Sequence, residues 1–408
     1  MLRVTGRLLP LLLPILALAC GGPESEPARP PRPDDEALRL HREAPVVDGH
    51  NDVTTFLLDY GYDLGMDGAD PGKRSAAVYW LALLRGVLPA PSGDALRTST
   101  DLRRMREGGL DVQFFSIYPD PGRFGDAPRA RALAMIDVLE EQVARHRDEL
   151  ALARSVADVR RIVAAGRIAA LMGLEGGHAI ENDLAHLRDF HARGIRYMTL
   201  TWSTTNEWAD SSGDGARHGG LSPFGREVVR EMNRLGMLVD VSHVSDETFW
   251  DALEVTQAPL IASHSSARAL VDHPRNLSDD MLRAVAENGG VVMINFAESY
   301  VDPRKAGVWP TIRFWLLHLG WEDTPFEMLV DHFDHAIRVA GVDHVGLGSD
   351  FDGTLFLPAG MKDVADLPNL TAALLERGHS PEDVRKVLGE NVLRVLEEAE
   401  ATSLRLAP

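Results

Sequence analysis

Cysteine is nearly absent from this chain, and acidic residues outnumber basic ones. Cys20 is the only cysteine among 408 residues, so an internal disulfide is excluded. Lysines and arginines number 42 against 61 aspartates and glutamates, which gives a formal net charge of -19. A negative charge of this size disfavours nucleic acid and anionic membrane surfaces as partners. We therefore expect no nucleic-acid binding and no membrane binding through a basic surface.

Phosphate-binding and membrane-spanning signatures are also missing. No P-loop is present, and the glycines of residues 213–220 lack the strand and helix that a dinucleotide site needs. The apolar run at residues 8–19 is too short to cross a bilayer comfortably. With 45% hydrophobic and 25% charged residues, the composition is that of an ordinary globular protein.

The amino terminus has the pattern of an export signal. Arg3 and Arg7 precede the apolar run of residues 8–19, which ends at Cys20. This ending resembles a bacterial lipoprotein signal, in which the cysteine carries the lipid anchor. Gly21 then favours the outer membrane, on the periplasmic side of the cell envelope. An ordinary cleaved secretory signal and an uncleaved anchor are the two alternatives.

Composition shifts predict four segments along the chain. They are a signal peptide at 1–20, a proline-rich tether at 21–34, a catalytic domain at 35–400 and a C-terminal tail at 401–408. Two long inserts are expected within the domain. Residues 59–100 include a predicted helix around 74–84, and residues 298–324 include Trp309, Trp315 and Trp321. These inserts are expected to form walls of the site or a homodimer contact, with plain packing of the tryptophans as the alternative.

Eight short apolar runs read as buried β-strands, each next to a helix-like segment. They are residues 45–52, 112–118, 168–174, 197–202, 238–242, 259–263, 290–296 and 344–349. Many of these runs end in a residue that is able to bind metal or move protons. A parallel (β/α)8 barrel gathers all strand carboxyl ends at one face and therefore explains the pattern. An open doubly wound sheet is the structural alternative.

The first of these strand ends carries a histidine and a carboxylate. His50 and Asp52 are two positions apart, so in a strand they project to the same face. An imidazole and a carboxylate on one face are suitable ligands for a divalent cation. Taken alone, the pair is explained more simply as a surface histidine and a turn aspartate. Glu175, His243 and His264 at later strand ends favour a metal site.

Six motifs, in order and with barrel-like spacing, closely resemble the membrane dipeptidase (renal dipeptidase) family. They are Asp48-Gly49-His50-Asn51-Asp52, Glu175-Gly176-Gly177-His178, His243-Val244-Ser245, Ser263-His264-Ser265-Ser266, Pro274-Arg275-Asn276 and Gly348-Ser349-Asp350-Phe351-Asp352-Gly353. The resemblance covers about residues 36 to 400. It implies a (β/α)8 barrel with two zinc ions. By resemblance, the ligands are His50 and Asp52 for one zinc, His243 and His264 for the other, and Glu175 as the bridge.

The resemblance also implies how the reaction proceeds. A hydroxide held between the zinc ions attacks the peptide carbonyl, and Asp350 acts as the acid/base carboxylate. Asp352 lies on the same strand-end face and is the alternative for that role. Arg275 is expected to hold the carboxylate of the substrate, because its planar fork suits bidentate recognition. A surface arginine at a helix entry is the alternative for Arg275.

One position departs from the family. The family usually has a histidine where this chain has Trp202, and that histidine is thought to stabilise the oxyanion of the tetrahedral intermediate. Tryptophan donates one N–H but cannot act as an imidazole, so the substrate preference is expected to differ. Asn206 and His178 are the two candidates to replace it, although His178 is expected mainly to pack. Tyr300 is expected to join Trp202 in binding the substrate.

The sequence therefore predicts zinc-dependent hydrolysis of dipeptides, of the L,L kind and, by resemblance, the L,D kind. The substrate is expected to have a free C-terminal carboxylate. One alternative is a metal-dependent hydrolase of another amide, a lactam or an ester. Another is a metal-bound binding protein without turnover.

Overall fold

Eight parallel strands form a closed ring in the computed structural model, which describes residues 32–68, 74–75, 96–124, 127–307, 323–354 and 356–407. The strands of the ring are β1 Val47–Asn51, β2 Val112–Ile117, β3 Ile168–Glu175, β4 Ile195–Thr199, β5 Leu238–Asp240, β6 Leu260–Ala262, β7 Val291–Asn295 and β8 Val345–Gly348. The pairing order is β2-β1-β8-β7-β6-β5-β4-β3, and β3 pairs back to β2. The predicted (β/α)8 barrel is confirmed, and closure of the ring excludes an open sheet.

Helices connect the strands and cover the outside of the barrel. The α-helices of the described residues are Asp35–Glu43, Val53–Tyr60, Leu102–Glu107, Pro121–Phe124, Pro128–Arg145, Val156–Ala164, Leu184–Arg193, Pro223–Leu235, Asp246–Val255, Asp279–Glu287, Glu298–Val301, Phe326–Ala340, Leu367–Glu376, Pro381–Arg385 and Asn391–Leu406. Shorter turns are the 3-10 segments Gly177–Ile180, Val342–His344 and Val364–Asp366 and the π segment Lys386–Glu390. None of the helices described is long and apolar enough to cross a membrane.

Successive side chains along each strand point to opposite faces of the sheet, which divides the core into two layers. In β3, Leu171 belongs to the cluster inside the barrel, whereas Met172 packs in the larger cluster between the strands and the helices. Burial on both faces explains why the strands read as nearly continuous apolar runs. Gly173 has no side chain, and a Cβ there would overlap the ring of Tyr197. The barrel interior is therefore filled by side chains below the strand carboxyl ends.

Two segments differ from what their sequence predicts. Arg74–Ser75 forms a short parallel strand pair with Leu96–Arg97, not the start of a helix, and the remainder of the predicted helix lies outside the described residues. The final helix continues to Leu406 with Thr402 buried, so the expected boundary at residue 400 falls inside a helix. That helix continues because its apolar face, repeating at helical spacing, closes the bottom of the barrel.

Other sequence predictions fall on parts of the chain that are not described. The signal peptide and most of the tether lie within residues 1–31, and Trp309, Trp315 and Trp321 lie within residues 308–322. An additional strand, Leu150–Leu152, pairs with the first half of β3 and was missed. Its three residues are too few to show a strand pattern.

Candidate active site

The five predicted metal ligands converge at the carboxyl ends of the barrel strands. Glu175 Oε2 lies 3.4 Å from His50 Nε2, and the latter lies 3.4 Å from Asp52 Oδ2. Glu175 Oε1 lies 3.1 Å from His243 Nε2 and 3.6 Å from His264 Nε2. The two oxygens of one carboxylate therefore face two different pairs of side chains.

This arrangement fits divalent cations. His50 Nε2 and Asp52 Oδ1 are buried and have no hydrogen-bond partner among the described residues. Ligand atoms of His50, Glu175 and His264 all lie within 4.8 Å of one another, as do those of His50, Asp52 and Asp350. Three imidazole nitrogens with two carboxylates are a donor set that suits zinc and similar borderline ions.

The electrostatics of the cluster point to the same conclusion. Burial, followed by the charge of Arg275, lowers the pKa of His243 to about 3, and burial also lowers the pKa of His264 well below its ordinary value. Burial acts to lower the pKa of His50, but the electrostatic effects of Tyr197 and Glu175 outweigh burial. The pKa of His50 is therefore raised well above its usual range. Without metal, His50 therefore keeps a proton between the carboxylates of Glu175 and Asp52. A metal cation bound there would supply the positive charge in place of that proton.

Two buried aspartates hold the strand ends in matching ways. Asp240 accepts from the backbone N–H and the hydroxyl of Ser263, at 2.8 and 2.6 Å. Asp48 accepts from the same two groups of Ser349, also at 2.8 and 2.6 Å. Each serine directly precedes a site residue, His264 in one case and Asp350 in the other. These two clamps fix the strand ends from which both side chains enter the site.

His243 enters the site from a strained backbone. Its φ of 69° lies in the left-handed region, which is uncommon for residues other than glycine. The carbonyl of His243 accepts from the N–H of Ser212 at 2.8 Å and from the hydroxyl of Ser212 at 3.0 Å. The loop after β4 therefore holds this ligand in place, and strain of this kind is common at functional sites.

Asp350 lies beside the first ligand pair, as its predicted role requires. Its Oδ2 accepts from Asn295 Nδ2 at 2.9 Å, and burial followed by the charge of Asp52 raises the pKa of Asp350 to about 7. A Cβ at Gly353 would overlap carboxylate oxygens of both Asp52 and Asp350. Only glycine lets the backbone after β8 approach these carboxylates so closely.

Asp352 faces a different neighbour. Its Oδ1 accepts from the backbone N–H of Ser99 at 2.7 Å, and burial raises the pKa of Asp352 to about 6. Ser99 lies where the insert after β1 returns to the barrel. The contact ties Asp352 to that insert, whereas Asp350 lies next to the predicted metal ligands His50 and Asp52.

Arg275 and Tyr300 lie next to each other at the rim of the site. The guanidinium carbon of Arg275 lies 5.4 Å from the centre of the Tyr300 ring. The NH2 group donates to the carbonyl of His264 at 3.2 Å, and Nε has no partner within the described parts of the chain. Arg275 is therefore a buried cation that approaches the ligand pair with donor capacity remaining.

Trp202 forms an aromatic wall with Tyr118 beside His243. Its ring centre lies 5.0 Å from that of Tyr118 and 6.2 Å from that of His243. The predicted position beside the site is consistent with these contacts, and the wall is apolar. Tyr118 was not singled out from the sequence, where it appears only as the last residue of a strand.

The two candidates to replace the histidine at position 202 are engaged elsewhere. Asn206 Nδ2 donates to the carbonyl of Leu200, and Oδ1 accepts from the N–H groups of Trp208 and Ala209. Its side chain therefore closes its own loop, and a role of Asn206 at the oxyanion stays a prediction. His178 Nε2 lies 2.9 Å from the carbonyl of Pro119, which fits the packing role expected for it.

Comparisons with known proteins agree with this geometry. A family model described as membrane dipeptidase (peptidase family M19) matches residues 34–407. Dipeptidase tcpJ from Claviceps purpurea (strain 20.1) is 38% identical over 362 residues, covering 86% of this chain and 76% of the relative.

Two solved structures are similar over most of their length. The probable dipeptidase PvdM from Pseudomonas aeruginosa has a TM-score of 0.74 and 26% identity, covering 90% of this chain and 98% of its own. A metallo peptidase from Rhodobacter sphaeroides, solved with a phosphinate mimic of the dipeptide L-Ala-D-Ala, has a TM-score of 0.67 and 31% identity, covering 87% and 99%. Because the family model spans nearly the whole folded chain and the metal cluster lies at the barrel face, the chain belongs to the membrane dipeptidase family, peptidase family M19, and is a metallo-dipeptidase.

Proposed function

We propose that this chain binds two zinc ions and hydrolyses dipeptides of the L,L and L,D kinds. The observation that carries the proposal is the division of the Glu175 carboxylate, with one oxygen facing His50 and the other facing His243 and His264. Divided in this way, Glu175 would help to hold one cation with His50 and Asp52 and a second with His243 and His264. When bound, such ions would lower the pKa of a coordinated water molecule and polarise the scissile carbonyl.

The side chains of the chain itself then move the proton and orient the substrate. The carboxylate of Asp350 takes a proton from the attacking water and gives it to the departing amine nitrogen as the C–N bond breaks. Asn295, which donates to Asp350, keeps the carboxylate turned toward the cluster. The adjacent Asp352 stays bound to Ser99 and holds the insert.

Arg275 supplies the recognition of a free C-terminal carboxylate. Its guanidinium is buried, approaches the His264 strand end and keeps an unpartnered Nε within the described residues. A dipeptide whose carboxylate pairs with this fork has its peptide carbonyl directed toward the ligand cluster. The guanidinium of Arg275 lies over the Tyr300 ring, 5.4 Å from its centre.

Activity on L,D dipeptides and the cell location rest on different support. The similar metallo peptidase from Rhodobacter sphaeroides was solved with a mimic of L-Ala-D-Ala, which supports an L,D substrate for this chain. The export pattern that ends at Cys20 supports a lipid anchor on the periplasmic side of the outer membrane.

A hydrolysis screen tests the substrate proposal. Zinc-loaded protein is assayed on matched L,L and L,D dipeptides and on the same compounds with an amidated C-terminus. We expect cleavage of the free acids and a large loss on the amides, because the amides cannot pair with Arg275. Equal rates on acid and amide, or cleavage only of esters or lactams, would contradict the dipeptide proposal.

A further inference from the structure

Two of the predicted metal ligands are held by hydroxyl groups on the side facing away from the cluster. His50 Nδ1 lies 2.8 Å from the hydroxyl of Tyr197, which in turn donates to the carbonyl of Gly49 at 3.2 Å. His264 Nδ1 lies 2.7 Å from the hydroxyl of Ser263, which lies 2.6 Å from Asp240 Oδ2. In both cases the hydroxyl contacts the nitrogen that points away from Glu175.

The single proton of each hydroxyl is committed elsewhere. A carboxylate oxygen only accepts, so the Ser263 hydroxyl gives its proton to Asp240. A backbone carbonyl also only accepts, so the Tyr197 hydroxyl gives its proton to Gly49. Each hydroxyl then has only lone pairs left for the histidine, and the histidine Nδ1 must be the donor.

We propose that Tyr197 and Ser263 are positioning residues that fix the proton of His50 and His264 on Nδ1. This leaves Nε2 of each ring as a lone-pair donor directed at Glu175, which is the form that binds a metal ion. The inference rests on the proposed metal centre, and it assigns one hydroxyl to each of the two ligand pairs. Tyr197 serves the pair His50 and Asp52 at the end of β1, and Ser263 serves the pair His243 and His264 that follow β5 and β6.

The rest of the barrel is shaped around these contacts. The ring of Tyr197 occupies space that only a glycine at position 173 leaves free. Asp240, which receives the Ser263 proton, also accepts from the Thr199 hydroxyl at 2.5 Å and is completely buried. Such support keeps each hydroxyl in one orientation, so the imidazole cannot exchange its proton between nitrogens.

His41 provides a matched contrast in the same chain. Its Nδ1 lies 2.7 Å from the hydroxyl of Thr371, but its Nε2 lies 2.7 Å from the carbonyl of Gly108. That carbonyl requires the proton on Nε2, so Nδ1 accepts from Thr371. The same kind of contact therefore gives the opposite tautomer, in a histidine that is not part of the metal cluster.

The first test measures the two zinc dissociation constants of the full-length protein by competition with a chelator. We expect Tyr197→Phe to weaken the binding of one zinc ion by about 10- to 100-fold and Ser263→Ala to weaken the binding of the other by a similar factor. The double variant should weaken the binding of both ions. Thr371→Val is the control and should leave both constants unchanged. Constants within twofold of the parent in both single variants would overturn the inference.

The second test does not require Tyr197→Phe or Ser263→Ala to fold. A long-range proton–nitrogen NMR spectrum of the metal-free parent, recorded at a pH high enough for His50 to be neutral, reports which nitrogen of each histidine carries a proton. His50 and His264 are assigned by loss of their signals in His50→Gln and His264→Gln. Protons on Nδ1 of both, and an unprotonated Nδ1 on His41, are expected. An unprotonated Nδ1 on His50 or His264 would overturn the inference. A parent that binds one zinc would instead contradict the proposed function and leave this readout intact.

Discussion

Asp350 and Asp352 are buried carboxylates two residues apart, and their partners separate their roles. Asp350→Asn should keep both metal ions but lose about two to four orders of magnitude in kcat, because an amide cannot shuttle a proton. The loss should appear in kcat more than in KM, since Arg275 and the metal ligands are unchanged. Steady-state kinetics on metal-saturated protein measure it.

Asp352→Asn is the matched comparison for that change. Its amide can still accept from the N–H of Ser99, so turnover should fall less than in Asp350→Asn. If Asp350→Asn stayed within tenfold of the parent while Asp352→Asn was inactive, the two assignments would have to be exchanged.

Trp202 offers a second prediction at the residue scale. Its ring lies beside His243, where an imidazole would bring a hydrogen-bond donor to the oxyanion side. Trp202→His should raise the rate on small dipeptides by about tenfold, which corresponds to about 1.4 kcal/mol in the transition state. The parent should favour substrates with apolar side chains, because the wall of Trp202 and Tyr118 is apolar. A lower rate in Trp202→His with metal content intact would show that the site has formed around tryptophan.

The residues that the sequence predicted share a position, directly after an apolar strand. His50, Glu175 and Asp350 are polar where the pattern turns from strand to loop, so they are visible in one dimension. Tyr197 and Asn295 are not visible in this way, because both lie within apolar runs. Their importance comes from neighbours on other strands, and only the closed barrel brings those neighbours together.

At the scale of elements, close packing between neighbouring strands supports the site from below. Gly173→Ala places a methyl group against the ring of Tyr197, so it should cost about 1 to 3 kcal/mol of stability through overpacking. It should also weaken zinc at the pair formed by His50 and Asp52, because Tyr197 holds His50. Denaturant unfolding and zinc competition measure the two effects.

Gly215→Ala is the control for that prediction. A Cβ at position 215 meets nothing within 4 Å, so stability and metal affinity should both match those of the parent. If Gly173→Ala kept the stability and the zinc affinity of the parent, the prediction would be contradicted. Tyr197 would then be able to move without loosening His50.

Elements differ in how well the sequence predicts them. The eight barrel strands were predictable because burial on both faces makes each one a compact apolar run. The strand Leu150–Leu152 is too short for such a run, and Arg74–Ser75 pairs with Leu96–Arg97 across a long separation that local periodicity does not reveal. The expected boundary at residue 400 falls inside a helix that continues to Leu406, and the exposed acidic residues Glu397 and Glu398 just before it lie on that helix.

For the whole molecule, the export pattern leads to a prediction about location. Cys20→Ser should release the protein from the membrane fraction of the producing cell, because no other cysteine is available to carry a lipid. The intrinsic kcat/KM should not change, since the first described helix begins at Asp35. Fractionation followed by a dipeptidase assay measures both. Parent protein that is entirely soluble would contradict the anchor.

The metal content of active protein tests the central claim most directly. Elemental analysis of purified, active enzyme should give about two divalent ions per chain, because the proposed centre has five ligands and shares one carboxylate between two positions. Glu175→Gln should lower the occupancy of both positions together, since each oxygen of that carboxylate faces a different pair. One ion or none in fully active protein, or loss of a single ion in Glu175→Gln, would contradict the two-metal centre.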